Sequence, residues 1–188
     1  MKQGLLWLFI GVVTMFGAAV ADGKECKGVS FPDQAQVDGT NLALNGLGLR
    51  QATVFKVNVY VAALYVVKPS KDAKAILESN TPKELILHFV RNVGAADLHK
   101  AMDDGFDKQA SAFKDSLVML KGWMMDMKTG QRLIFVHKPG AGVQVDVNGT
   151  VKGTIKGDDF AKAFFSTWLG PKPPNPGVKA GLLGGACE

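Results

Sequence analysis

The run from Thr53 to Val67, TVFKVNVYVAALYVV, constrains this chain more than any other stretch. Val, Tyr and Phe dominate it, the residue types that fit a pleated, packed strand. Between Phe55 and Tyr60 one face carries Phe55, Val57 and Val59, and the other carries Lys56, Asn58 and Tyr60. That alternation is a strand signal. From Val61 to Val67 both faces are apolar, which predicts a strand covered from both sides. Such a strand needs a sheet around it and a layer over each of its faces. Lys68-Pro69 ends the run.

The flanking segments supply partners. Strands are expected near Val29 to Gln36 and Leu42 to Asn45, joined by a turn at Val37-Asp38-Gly39-Thr40, with Gly46-Leu47-Gly48-Leu49-Arg50 following. Ser70 to Ser79 reads as a short helix with Ser70 as its N-cap. Glu84 to Val90 is a further strand. Ala95 to Met127 has helical spacing and reads as two helices, with the break at Gly105 or Gly122. Gln131 to His137, Gly142 to Val147 and Thr150 to Ile155 are strands, the last two joined by Asn148-Gly149, a strong tight-turn dipeptide. Asp158 to Leu169 is a helix, Pro171 to Pro176 a break, and Val178 to Leu182 a short helix. Strands that come mostly as hairpins, with helices inserted, indicate an antiparallel α+β fold.

The N-terminus predicts export. Lys2 precedes an apolar stretch from Gly4 to Val20, and Ala19-Val20-Ala21 is an A-x-A site before polar Asp22-Gly23-Lys24-Glu25. This is the plan of a signal peptide over residues 1–21. An uncleaved anchor is the rival, against which the A-x-A site argues. Residues 22–188 then form one domain, with no later apolar segment long enough to span a bilayer. A periplasmic or secreted location follows, and oxidising conditions with it. There, Cys26 and Cys187 are expected to form a disulfide that ties the two ends together; neither has a C-x-x-C partner. Loss of Lys2 takes the formal charge from +5 to +4, with cations scattered and no basic run. Nucleic acid is therefore not expected as a partner.

Motifs with chemistry are few. Gly46-x-Gly48 lacks a third glycine and a following helix, so it is no dinucleotide fingerprint. Ser111-Ala112-Phe113-Lys114 and Lys128-Thr129-Gly130 echo penicillin-recognising enzymes, but the larger fold and the S-D-N element are missing. Asn148-Gly149-Thr150 fits a glycosylation sequon, yet a turn accounts for it. His88, His99 and His137 have no metal-ligand spacing and read as packing or surface residues. No catalytic set, metal site or cofactor is expected.

Arg50 stands out. It follows the glycine-punctuated stretch and precedes the most apolar strand, and a guanidinium there must find an anionic or polar partner. Tyr60 offers a phenolic hydroxyl. The pair reads either as a receptor for a carboxylate or phenolate, or as a structural arginine bound to an acid.

Gly48-Leu49-Arg50, the run from Phe55 to Tyr65, Lys138-Pro139-Gly140-Ala141-Gly142, Val147-Asn148-Gly149, Trp168-Leu169-Gly170 and Leu182-Leu183-Gly184 together resemble the chalcone isomerase-like family, its exported bacterial branch above all. The resemblance implies an open-faced β-sandwich, a large antiparallel sheet with helices layered on it and a cleft between. The family includes plant enzymes that close a chalcone to a flavanone, plastid fatty-acid-binding proteins, and members without known activity. Arg50 matches the arginine that holds the phenolate in the enzymes. Tyr60 falls where the enzymes carry a threonine and the fatty-acid-binding branch a tyrosine. Thr167 matches a late threonine. The enzymes' own tyrosine and asparagine have no counterparts; that stretch here carries Asp97 and Asp104. A carboxylate at ~4 Å would oppose an anionic substrate by about 4 kcal/mol at an effective dielectric near 20. The resemblance thus implies a protein without isomerase activity that binds a small amphipathic carboxylate or phenolic ligand, such as a fatty acid. An intramolecular lyase and an envelope scaffold or interaction protein are the alternatives.

Overall fold

The computed structural model describes residues 23–106, 112–173 and 175–188. The leader expected over residues 1–21 lies outside them. Nine strands and five helices are described. They are β1 (Gly23–Cys26), β2 (Val29–Pro32), β3 (Gln34–Val37), β4 (Thr40–Ala52), β5 (Val57–Val66), α1 (Ala73–Glu78), β6 (Lys83–Phe89), α2 (Ala95–Phe106) and α3 (Lys114–Trp123). After them come β7 (Arg132–Lys138), β8 (Gly142–Val147), β9 (Thr150–Lys156), α4 (Asp158–Leu169) and α5 (Pro176–Leu182).

Strands β3 to β9 form one seven-stranded sheet in sequence order, each antiparallel to the next. β1 and β2 make a separate ribbon. β5 lies inside the sheet, as its two apolar faces require. Ala62, Leu64 and Val66 join the core under the helices, where Phe135, Phe160 and Phe164 also pack. Val61, Ala63 and Tyr65 face the other way, into a smaller core with Phe31, Leu42 and Leu49. The architecture is α+β, a large antiparallel sheet with helices layered on it.

Local differences from the sequence reading have physical causes. β4 is one strand of 13 residues that runs through Gly46 and Gly48 to Ala52, where a stop at Asn45 was expected. The glycines are there for contact: a Cβ at Gly46 would strike the Gly181 carbonyl, and one at Gly48 would strike the Val178 backbone, both in α5. The expected strand from Val29 to Gln36 breaks at Asp33 into β2 and β3. β5 begins at Val57, and Val67 is exposed beyond its end. Thr53 to Lys56 form a tight turn in which Lys56 N–H donates to the Thr53 carbonyl; Phe55 is at a hairpin tip and not on a strand face. The cap of α1 is Asp72, which accepts from Lys74 and Ala75 N–H. Ser70 instead pairs through its backbone with the buried Asn45 amide. α2 passes Gly105 and ends at Phe106, and α3 ends just past Gly122.

Cys26 and Cys187 are bonded, with Cα atoms 6.1 Å apart and a sequence separation of 161. A loop that long gives a stabilisation of about 4–5 kcal/mol in the chain-entropy account, as an upper figure.

Candidate functional site

Antiparallel pairing places Arg50 of β4 directly opposite Tyr60 of β5, so the two side chains leave the same face of the sheet. It is the face that carries the helices, since Tyr60 packs against the helix-side core. Both residues are half-buried. The Arg50 guanidinium donates to the Gln51 carbonyl, which also accepts from the Asn175 amide at the start of α5. Among the described residues no carboxylate lies within ion-pair distance of Arg50. The structural-arginine reading, which required an internal acid, therefore finds only a carbonyl.

Tyr60 Oη accepts a hydrogen bond of 3.0 Å from the Trp168 indole, and its ring meets Phe89 edge to face. Burial raises its pKa, against the smaller opposing pull of the Trp168 bond and the Arg50 charge. The phenol is neutral at ordinary pH and keeps its own proton for donation. Trp168 is the partner that the sequence reading did not assign; only its place beside Thr167 on α4 pointed to it.

Thr167 is buried but turned elsewhere. Its methyl occupies the space a Cβ would need at Gly105 of α2, and its hydroxyl has no hydrogen-bond partner among the described residues. The structure brings Arg50, Tyr60 and Trp168 together and sets Thr167 one residue around the helix. Asp97 and Asp104 are both exposed, and Asp104 pairs with Lys100 at 2.9 Å. Neither carboxylate faces the Arg50–Tyr60 pair from a buried position, so the repulsion considered above does not arise from them.

Two clefts are described, and both lie at the opposite end of the sheet. One, of about 330 Å³, sits between the end of β5 and α1 and is lined by Val66, Pro69, Ala75 and Ile76 among others. The other, of about 290 Å³, lies between α1 and α4. The hollow expected beside Arg50 is not one of these two.

The α1–α4 cleft has a polar floor that the sequence reading missed. Lys83 Nζ donates to the Ser79 and Thr81 carbonyls at 2.9 and 3.1 Å and lies 3.1 Å from His137 Nδ1. His137 Nε2 is 3.0 Å from Asp158 Oδ1, and that carboxylate also accepts from Gly140 N–H. Lys83 and His137 are both buried. Burial pulls Lys83 down to about 8, with Asp158 pulling the other way. It lowers His137 too, against the Asp158 hydrogen bond. The arrangement is that of an ammonium, a neutral imidazole donating through Nε2, and a carboxylate. His137, expected as a packing or surface residue, is packed against Phe165 and also stands in the middle of this chain of bonds. His88 accepts from Arg132 Nε, and a ring nitrogen of His99 lies 2.9 Å from the Lys121 carbonyl.

Among the described residues no group of three or more His, Cys, Asp or Glu side chains is arranged to hold a metal. No helix among them is long and apolar enough to cross a membrane.

A helix-covered sheet of seven antiparallel strands in sequence order is an architecture that can be compared with known ones. The profile described as chalcone isomerase-like matches residues 23–184, and the chain belongs to that family. No curated protein matches it. Among solved structures it is similar to the crystal structure of a fatty-acid binding protein from Arabidopsis thaliana. Sequence identity is 14% and the TM-score 0.63, over 83% of this chain and 92% of that one. At that identity the likeness carries the fold alone.

Proposed function

We propose that this is a periplasmic or secreted binding protein for a small amphipathic anion, a fatty acid being the first class to test. Arg50 pairs with the anionic head and Tyr60 donates its phenolic proton to it, while Thr167 packs against Gly105 away from that head. The observation that carries the reading is the Arg50–Tyr60 pair: a cation with no acidic partner among the described residues, beside a neutral hydroxyl whose proton is free. A charged hydrogen bond from a guanidinium fork, with a second donor, suits a carboxylate. The Trp168 indole bond uses a lone pair of Tyr60 Oη and leaves the phenolic proton for the ligand. The disulfide and the leader-like N-terminus support an exported location. Without the enzymes' tyrosine and asparagine, chalcone should not be cyclised above its spontaneous rate.

The test is binding of a fluorescent fatty acid by wild type and Arg50→Ala, with native mass spectrometry for a co-purified ligand. Arg50→Ala should weaken binding about tenfold or more and leave the melting temperature nearly unchanged. Equal loss of binding and stability, or no binding by the wild type, overturns the reading.

A further inference from the structure

Five tight hairpin turns join described strands that are neighbours in sequence. Four follow ordinary turn chemistry. Lys27-Gly28, Asp38-Gly39 and Asn148-Gly149 are each a polar residue and a glycine, both at positive φ, and the β7–β8 turn has Pro139 followed by Gly140 at φ 76°. Such residues are favoured because they preset or tolerate that backbone or bond to it. The fifth, between β4 and β5, puts Val54 and Phe55 in the middle. They are 91% and 85% exposed, the most exposed large apolar residues described. The turn is built, with Thr53 and Lys56 at φ 63° and 50°. Phe55 N–H donates to Thr53 Oγ1 at 3.3 Å, and Lys56 N–H to the Thr53 carbonyl at 3.2 Å. A sequence that follows the local rule four times and breaks it once, at an apolar cost, points to a use for the exception.

We propose that this hairpin tip docks on an anionic lipid surface, with Val54 and Phe55 sinking among the headgroups and nearby cations holding the phosphates. Lys56 is on the tip itself and exposed. Arg91, also exposed, follows the Val90–Val59 hydrogen bond beside the base of the hairpin. Lys172 is exposed in the connection whose Asn175 bonds to Gln51. Two acids of this end are committed: Asp126 accepts from Ala95 N–H, and Asp146, three strands away, accepts from Gly149 N–H. Asp97 in the first turn of α2 and Glu188, whose backbone lies by Gly177, are exposed. Size argues for lipid over a second copy of the chain. Two side chains on a tip offer roughly 300 Å², against the total of about 1,000 Å² that a stable protein interface needs. A bilayer demands no complementary shape, and aromatic and cationic residues suit its interface.

This docking does not rest on the ligand reading, although Arg50 and Tyr60 lie only a few residues below the tip. The test uses protein beginning at Asp22, which keeps every described element, and vesicles of phosphatidylglycerol and phosphatidylcholine in equal parts. Wild type should sediment with them, and less so with phosphatidylcholine alone or in high salt. Val54→Ser with Phe55→Ser should lower vesicle affinity about tenfold without shifting the melting temperature. Fatty-acid affinity measured without vesicles should be unchanged in that variant, so the two proposals fail separately. Phe55→Trp should show a blue-shifted fluorescence increment over wild type on adding vesicles. Unchanged sedimentation of the double Ser variant, or no sedimentation of wild type, overturns the proposal. So does a wild-type dimer in size-exclusion chromatography that the double variant abolishes.

Discussion

The two ends of the central sheet treat a cation withdrawn from water in opposite ways. At one end Lys83 has three acceptors, and a histidine and an aspartate complete a chain of bonds across β6, β7 and α4. At the other, Arg50 has one neighbouring carbonyl, and beyond it the hairpin ends in bare hydrocarbon. A cation that is fully bonded serves the fold, because removing it strands its partners. A cation that is under-bonded has capacity left for something else. The fold thus has a sealed end and an open one, although the two clefts described above lie at the sealed end.

The comparison breaks most readily at Lys83. Lys83→Ala leaves two half-buried carbonyls and His137 Nδ1 without their ammonium partner and should cost about 3 kcal/mol of stability in urea unfolding. A loss under 1 kcal/mol would show that this end is not locked. The pH dependence comes next. Lys83 sits near 8 when folded and at 10.5 when unfolded. Between pH 8 and 10 the unfolded chain holds a proton the folded one has released, so stability should rise with pH. The rise should vanish in Lys83→Met. Above 10 the raised Tyr60 and Tyr65 oppose it, since the unfolded tyrosines ionise first. At the acid side His137 is lowered, so stability should fall as pH drops below 6.5, and less so in His137→Gln. Arg50→Ala should change stability by under about 1 kcal/mol, as loss of a half-buried cation with a backbone partner does. The double Ser variant of the tip should be within about 0.5 kcal/mol of wild type, as exposed positions are. Chemical denaturation of the five variants beside wild type orders these effects directly.

How much of this was legible in the sequence depended on whether the signal was local. The buried half of β5 announced itself through apolar residues on both faces. Asp38-Gly39 and Asn148-Gly149 marked their turns through residues that tolerate positive φ, and α4 begins and ends at the expected residues. The glycines of β4 misled because a glycine reads as a breaker until the helix that needs its missing Cβ is known. Val54 and Phe55 misled for the complementary reason: strand-forming residues in a turn look like strand. At the candidate site, Arg50 and Tyr60 were legible as types and became neighbours only through the β4–β5 register. The Lys83–His137–Asp158 chain was not legible, since its members are 54 and 21 residues apart and each has an ordinary surface reading alone.

The bond between Cys26 and Cys187 makes the domain a closed covalent ring from one to the other. A protease that nicks any surface loop between them, the β4–β5 tip included, leaves both pieces attached. Such a cut would pass unseen on a non-reducing gel and appear as two bands once a thiol is added. Inactivation by clipping would then require a second cut or a reducing environment.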